Sequence, residues 1–183
     1  MKTSKFAAIM QITAICTALL TGLFVFLYTK FEQSALLSLA ITCGTTCYHF
    51  TVRLLIGHLV PNRFDYRKAW FQPRKFEATL YKKLRLKRWK AQMPTYNPNL
   101  FSLENNSPEQ IVCNMCQAEI VHEIIIPFSF VPMLLSSTLD GFWPFLITSV
   151  LAAAFDFLFV MLQRFNRPRI IKILERQTRR SVR

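Results

Sequence analysis

The chain has 183 residues, 52% of them hydrophobic and 17 of them phenylalanine, with a formal net charge of +13. A mean hydropathy of +0.25 excludes an ordinary soluble domain, and five cysteines, an odd number set in or near apolar runs, exclude a secreted disulfide framework. The cationic side chains concentrate between Arg63 and Lys90 and between Arg164 and Arg183, beside apolar stretches; this pattern suits anionic lipid headgroups and not nucleic acid, for which no recognition motif is present.

Phe6 to Thr29 carries no charged residue and is long enough to span a bilayer with some tilt. A signal peptide would have a shorter apolar centre and a small-x-small cleavage site. This run ends in large side chains, Phe24 to Tyr28, so it is expected to persist as a first transmembrane helix. Ser34 to Val60 forms a second span, uncharged as far as Val52 and closed by Pro61. His49 and Arg53 lie four residues apart and share a helix face near the inner boundary of the membrane. They either meet an anionic headgroup or phosphate there, or Arg53 merely extends its charge to the interface.

Residues 62–107 form a basic connection expected to face the cytoplasm. Phe76, Leu80 and Leu84 recur every four residues and are followed by Leu86, Trp89 and Met93, which predicts an amphipathic helix lying on the membrane with Trp89 at headgroup level. Pro94, Pro98 and the Asn and Ser residues up to Ser107 read as an irregular link.

A further helix begins at Ser107, where Ser107, Pro108 and Gln110 make a capping box with proline at the first helical position. Its apolar half predicts a third span over about 120–139, kinked by Pro127 and Pro132. Asp140-Gly141 predicts a short turn, and about 142–162 a fourth span carrying Asp156. An intramembrane carboxylate is either a functional group or one that neutralises Arg53 or bonds a neighbouring helix. Residues 163–183 read as a basic tail whose Ile170, Ile171, Ile173 and Leu174 lie on the inner leaflet. The expected fold is therefore all-α: a single membrane domain of four transmembrane helices with a cytoplasmic basic amphipathic helix. Both termini fall on the cytoplasmic side.

At helical spacing, Glu119, His122 and Glu123 share one face where the third helix passes from polar to apolar. Such a face performs acid/base chemistry or simply bonds helices together. Cys113 and Cys116 form one C-x-x-C, and Cys43 and Cys47 a C-x-x-x-C. Both lie on predicted helices without a knuckle, so packing is expected and no metal. No G-x-S-x-G, Walker loop or H-E-x-x-H is present, which argues against a serine hydrolase, a P-loop enzyme or a standard zinc protease.

Three motifs in order, LRLKRWKAQMP at Leu84 to Pro94, CQAEIVH at Cys116 to His122 and QRFNRPR at Gln163 to Arg169, resemble the glycosyl-4,4'-diaponeurosporenoate acyltransferase family. These are small membrane enzymes that finish staphyloxanthin-type carotenoids in bacterial cell membranes. The resemblance covers about Phe64 to Leu174, and the sequence departs from the family pattern at Asn114, Gln117 and Glu123. It implies transfer of a fatty acyl group from an activated donor, with no other cofactor, to a hydroxyl of a glycosylated lipid or carotenoid. The matched residues are Trp89 and Lys90, Ala118, Glu119 and His122, then Gln163, Arg164, Asn166 and Arg167.

Acyl transfer needs a base for the acceptor hydroxyl and positive charge for the donor. His122 is expected to be the base with Glu119 orienting it, while Arg164, Asn166, Arg167, Lys90 and Trp89, with Arg53 and His49, meet donor or headgroup. Two alternatives remain: a non-catalytic membrane partner that binds anionic lipid, and another lipid-modifying transferase.

Overall fold

Apolar runs with few charges leave the backbone one way to satisfy its own hydrogen bonds in lipid, the helix. The computed structural model describes residues 5–95, 97–137, 139 and 142–181, and among these the regular structure is all helical. Its α-helices are α1 (Lys5–Phe31), α2 (Ser34–Leu59), α3 (Lys75–Lys83), α4 (Leu86–Trp89), α5 (Pro108–Phe128) and α6 (Phe142–Ser181). Four stretches are long and apolar enough to cross a membrane: α1, α2, Pro108–Leu135 and Phe142–Arg180. The all-α, four-span architecture is as expected, and the protein is a membrane protein.

α1 and α2 form a hairpin, α5 packs along α6, and α2 touches both α5 and α6. α1 buries little beyond Ala7 and Met10, and its Ile9, Ile12, Ile15 and Leu19 are exposed, as suits a helix facing lipid. Its hydroxyls stay local: Thr17 donates to the Thr13 carbonyl and Thr21 to that of Thr17, both at 2.7 Å. The two helices approach closely at Gly44, where a Cβ would already meet Thr21 Cγ2 at 3.4 Å.

α5 starts at the capping box. The Gln110 amide donates to Ser107 Oγ at 3.2 Å, and the Ser107 amide to Gln110 Oε1 at 2.9 Å. The helix does not run on to residue 139 as a kinked span. It ends at Phe128, and a 3-10 turn, Val131–Leu135, follows. Pro132 has no N–H for the Phe128 carbonyl and disfavours helical geometry at Val131. That carbonyl accepts instead from Tyr48 Oη on α2 at 3.0 Å. The turn expected at Asp140-Gly141 lies outside the described residues.

The amphipathic helix expected over Phe76 to Met93 is broken. α3 ends at Lys83, Arg85 takes the left-handed conformation (φ 51), and the chain resumes as α4 and a 3-10 turn over Lys90–Gln92. Leu86 lies about 200° around a helix from Leu84, off the stripe that Phe76, Leu80 and Leu84 define. The break lets Leu86 become wholly buried while Phe76 and Leu84 stay exposed. Trp89 Nε1 then caps the freed Leu84 carbonyl at 3.0 Å.

The basic tail is not a separate segment either. α6 continues from the fourth span through Pro168 to Ser181, and Ile170 and Ile171 pack on a buried cluster of Phe71, Val112 and Cys116 instead of facing the inner leaflet.

Candidate functional site

The connecting segment, residues 60–107, is fastened to α5 and α6 by side chains that the membrane helices present. Asn114 on α5 accepts from Asn62 and donates to the Leu100 carbonyl at 2.7 Å, while Gln117 donates to the Val60 carbonyl, also at 2.7 Å. Trp70 Nε1 donates to Glu123 Oε2 at 2.8 Å. Asn114, Gln117 and Glu123 thus all hold this segment.

One face of α6 carries Asp156, Arg164 and Arg167 at helical spacing, and all three are buried. Glu119 on α5, completely buried, receives one guanidinium on each carboxylate oxygen: Arg164 Nη1 on Oε1 at 2.5 Å and Arg167 Nη1 on Oε2. Arg164 also binds Glu77 of α3, with Nε at 2.8 Å from Oε1. Three successive carbonyls take the remaining donors: Trp70 and Gln72 from Arg164 at 3.0 and 2.9 Å, and Phe71 from Arg167 at 2.5 Å. Tyr81 donates to Glu77 Oε2 at 3.1 Å, and burial, with the Glu77 charge behind it, raises the phenol above its ordinary pKa, so it remains a donor.

Arg164 and Arg167, expected to meet donor or headgroup, are turned inward to Glu119, Glu77 and main-chain carbonyls.

His122 is paired elsewhere. Its Nδ1 lies 2.7 Å from Asp156 Oδ1, its ring stacks on Phe159 at a centroid distance of 4.6 Å and an interplanar angle of 9°, and its side chain is 20% exposed. Asp156, with no exposure at all, also binds Arg53 of α2 through Oδ2. Arg53 donates further to the His49 carbonyl at 2.9 Å and the Ala152 carbonyl at 3.0 Å. The expected Glu119–His122 pair is thus corrected: both residues stand on α5, but each bonds to a different part of α6. Two arginines out-compete the imidazole for Glu119, and Asp156 is left for His122.

His49 is 5% exposed. Its Nε2, Arg53 Nε and Ser149 Oγ are buried without a hydrogen-bond partner among the described residues. At the far end of the site Lys90 donates to Asn166 Oδ1 at 3.0 Å, and burial lowers its pKa, with the charges of Arg169 and Lys87 adding to the effect. Trp89 is spent on the Leu84 carbonyl. Cys113 donates to the Phe64 carbonyl at 3.7 Å, and Cys116 packs in the Phe71 cluster beside Arg167.

The three motifs that are far apart in sequence therefore meet in space: the first through Lys90, the second through Glu119, the third through Asn166, Arg164 and Arg167. The family model for glycosyl-4,4'-diaponeurosporenoate acyltransferases matches residues 67–176, more than half of the chain. The chain belongs to that acyltransferase family. No curated protein and no solved structure matches it. The matched region contains the Arg-Glu network and the His122–Asp156 pair, whereas α1 and α2, with Arg53 and His49, lie outside it.

Sequence reasoning missed Glu77, the carbonyls of Trp70 to Gln72 and the pairing of Asp156 with His122. The one signal for the last was an intramembrane carboxylate on the helix that faces α5. Removing one partner of a buried ion pair typically costs about 3–5 kcal/mol, because the other charge is stranded. Glu119→Gln keeps the shape but strands two arginines, so thermal unfolding of the purified protein in detergent is expected to show a loss of that order. An unchanged midpoint would show that the network does not hold the fold.

Proposed function

We propose that the protein transfers a fatty acyl group from an activated thioester to a hydroxyl of a glycosylated lipid or carotenoid, with His122 as the general base. The observation that carries this reading is the His122–Asp156 pair inside the matched acyltransferase region. A carboxylate accepting from Nδ1–H fixes the tautomer with the lone pair on Nε2, and it stabilises the imidazolium that forms when Nε2 takes a proton. Arg53 balances the charge of Asp156, and Phe159 holds the plane of the ring. Asp156 is thus the orienting carboxylate, and Glu119 is a positioning residue that sets the contact between α5 and α6.

In the reaction, the acceptor hydroxyl gives its proton to His122 Nε2 while its oxygen forms a bond to the acyl carbon. The carbon–sulfur bond to the donor then breaks, and the imidazolium returns the proton to the leaving thiolate. Atoms and charge balance without an oxidant, a metal or a covalent enzyme intermediate. The unpartnered polar atoms of His49, Arg53 and Ser149, on the helix faces that share the Arg53–Asp156 pair, suit a head bearing several hydroxyls.

The protein sits in the cell membrane with both termini and the basic segment in the cytoplasm, because cytoplasmic loops carry the excess of Lys and Arg. In a background without native cysteines, an impermeant thiol reagent added outside intact cells is expected to label Gln33→Cys, between α1 and α2, and to spare Lys83→Cys. The reverse pattern would invert the topology.

A general base contributes about 100- to 10,000-fold in rate. His122→Ala is therefore expected to insert normally yet lose at least a hundredfold in acyl transfer to a glycolipid acceptor. A rate within a few-fold of the parent would remove His122 from the chemistry, whereas absence of acyl transfer by the parent itself would favour a non-catalytic membrane partner.

A further inference from the structure

The ends of α3 and α4 and the flank of α6 enclose a groove of about 740 Å³. That is within the range of about 300–1,000 Å³ found for small-molecule sites. Arg74, Lys82, Arg85, Lys87 and Arg88 line it, and among the described residues none of the five belongs to an ion pair. The carboxylate in the wall, Glu77, is already held by Arg164 and Tyr81. All five are exposed, and like charges gathered around one concavity make a positive field that attracts an anion of several charges.

Two further features narrow the ligand. The floor is apolar and aromatic: Tyr81 and Phe165 meet edge to face at 5.4 Å, beside Pro168. Arg85, at the centre of the cationic wall, has φ 51, a conformation in which a turn with no other duty would hold glycine. It links the wall through main-chain bonds: its amide donates to the Lys82 carbonyl at 3.1 Å, and its carbonyl accepts from the Arg88 amide at 2.8 Å. The left-handed residue thereby gathers Lys82, Arg85 and Arg88 at one corner, with an arginine side chain kept at a strained position.

We propose that this groove seats the phosphates and base of a nucleotide-linked acyl thioester, the donor for transfer at His122; the inference rests on the acyl-transfer reading. Several cations around a concave volume with aromatic rings on its floor match a polyphosphate that carries a planar base. A phosphatidylglycerol headgroup offers a single phosphate and no planar base to lie against the aromatic floor. Arg164 lines the groove and is eight residues beyond Asp156, so the two sites lie about 12 Å apart along α6. A thioester on a long flexible arm spans that distance, leaving the nucleotide in the groove and the acyl carbon beside His122.

The test is calorimetric titration of the full chain, in neutral detergent, with adenosine 3′-phosphate 5′-diphosphate, which carries the phosphates and base without the acyl arm. The parent and His122→Ala are expected to bind it equally. Arg85→Gly and Arg88→Gln are each expected to bind about tenfold more weakly. Arg85→Gly relieves the backbone and so should unfold no earlier than the parent, which separates lost binding from lost structure. Absence of binding by the parent, or unchanged binding by Arg85→Gly, overturns the proposal. It is equally overturned if phosphatidylglycerol vesicles, and not the nucleotide, bind in a manner that depends on Arg85 and Arg88. Retained turnover by His122→Ala would sink the base assignment alone, since nucleotide binding is read without catalysis.

Discussion

Two guanidinium groups, those of Arg164 and Arg167, are buried against the carboxylate of Glu119 where α5 and α6 meet, and the rest of the protein is arranged to make that burial tolerable. Removing ions from water costs several kcal/mol each unless their hydrogen bonds are replaced in good geometry. Here the replacement draws on distant parts of the chain: Glu119 from α5, Glu77 from α3, and three consecutive carbonyls from the turn at Trp70 to Gln72. The basic segment is therefore not a loose cytoplasmic loop. Its first half is part of the bundle, and Phe71 is held twice by Arg167, through its carbonyl and by the same guanidinium lying over its ring at 5.2 Å.

The same network sets the site. By occupying Glu119, the arginines fix which faces of α5 and α6 meet, and further along that interface His122 faces Asp156. Asp156 joins three helices, since it also takes Arg53 from α2. An imidazole whose orientation depends on a buried carboxylate, itself neutralised by a third helix, is held by the fold and not by a loop, which is the rigidity that the proposed proton transfer requires. Towards the other end of α6, cations without carboxylate partners surround the groove at α3 and α4. Among the described residues, charge is thus paired where it is buried and left without a carboxylate around the exposed groove.

Local and compositional features were legible in the sequence. The capping box at Ser107 and Gln110 and the four spans follow from short-range chemistry and from the position of charges relative to apolar runs. What stayed hidden depends on register between helices distant in sequence. Whether His122 pairs with Glu119, one turn away, or with Asp156 is decided by which carboxylate the arginines claim. Periodicity on one helix carries no information about that choice. The break at Arg85 was hidden for a related reason: the apolar stripe of Phe76, Leu80 and Leu84 continues into Leu86 by composition, but Leu86 is buried on a different side. Nor does a proline pattern reveal that the carbonyl orphaned by Pro132 finds Tyr48 on α2.

The central claim is that His122 and Asp156 act as one unit in proton transfer, and a double-mutant cycle on acyl-transfer turnover tests it most directly. Groups that work together lose most of their effect when either is removed, so Asp156→Asn should slow the parent strongly and change the rate of His122→Ala by less than about twofold. If Asp156→Asn instead slowed His122→Ala by the same factor as the parent, the two residues would act independently, and the account of His122 as a base oriented by Asp156 would be contradicted.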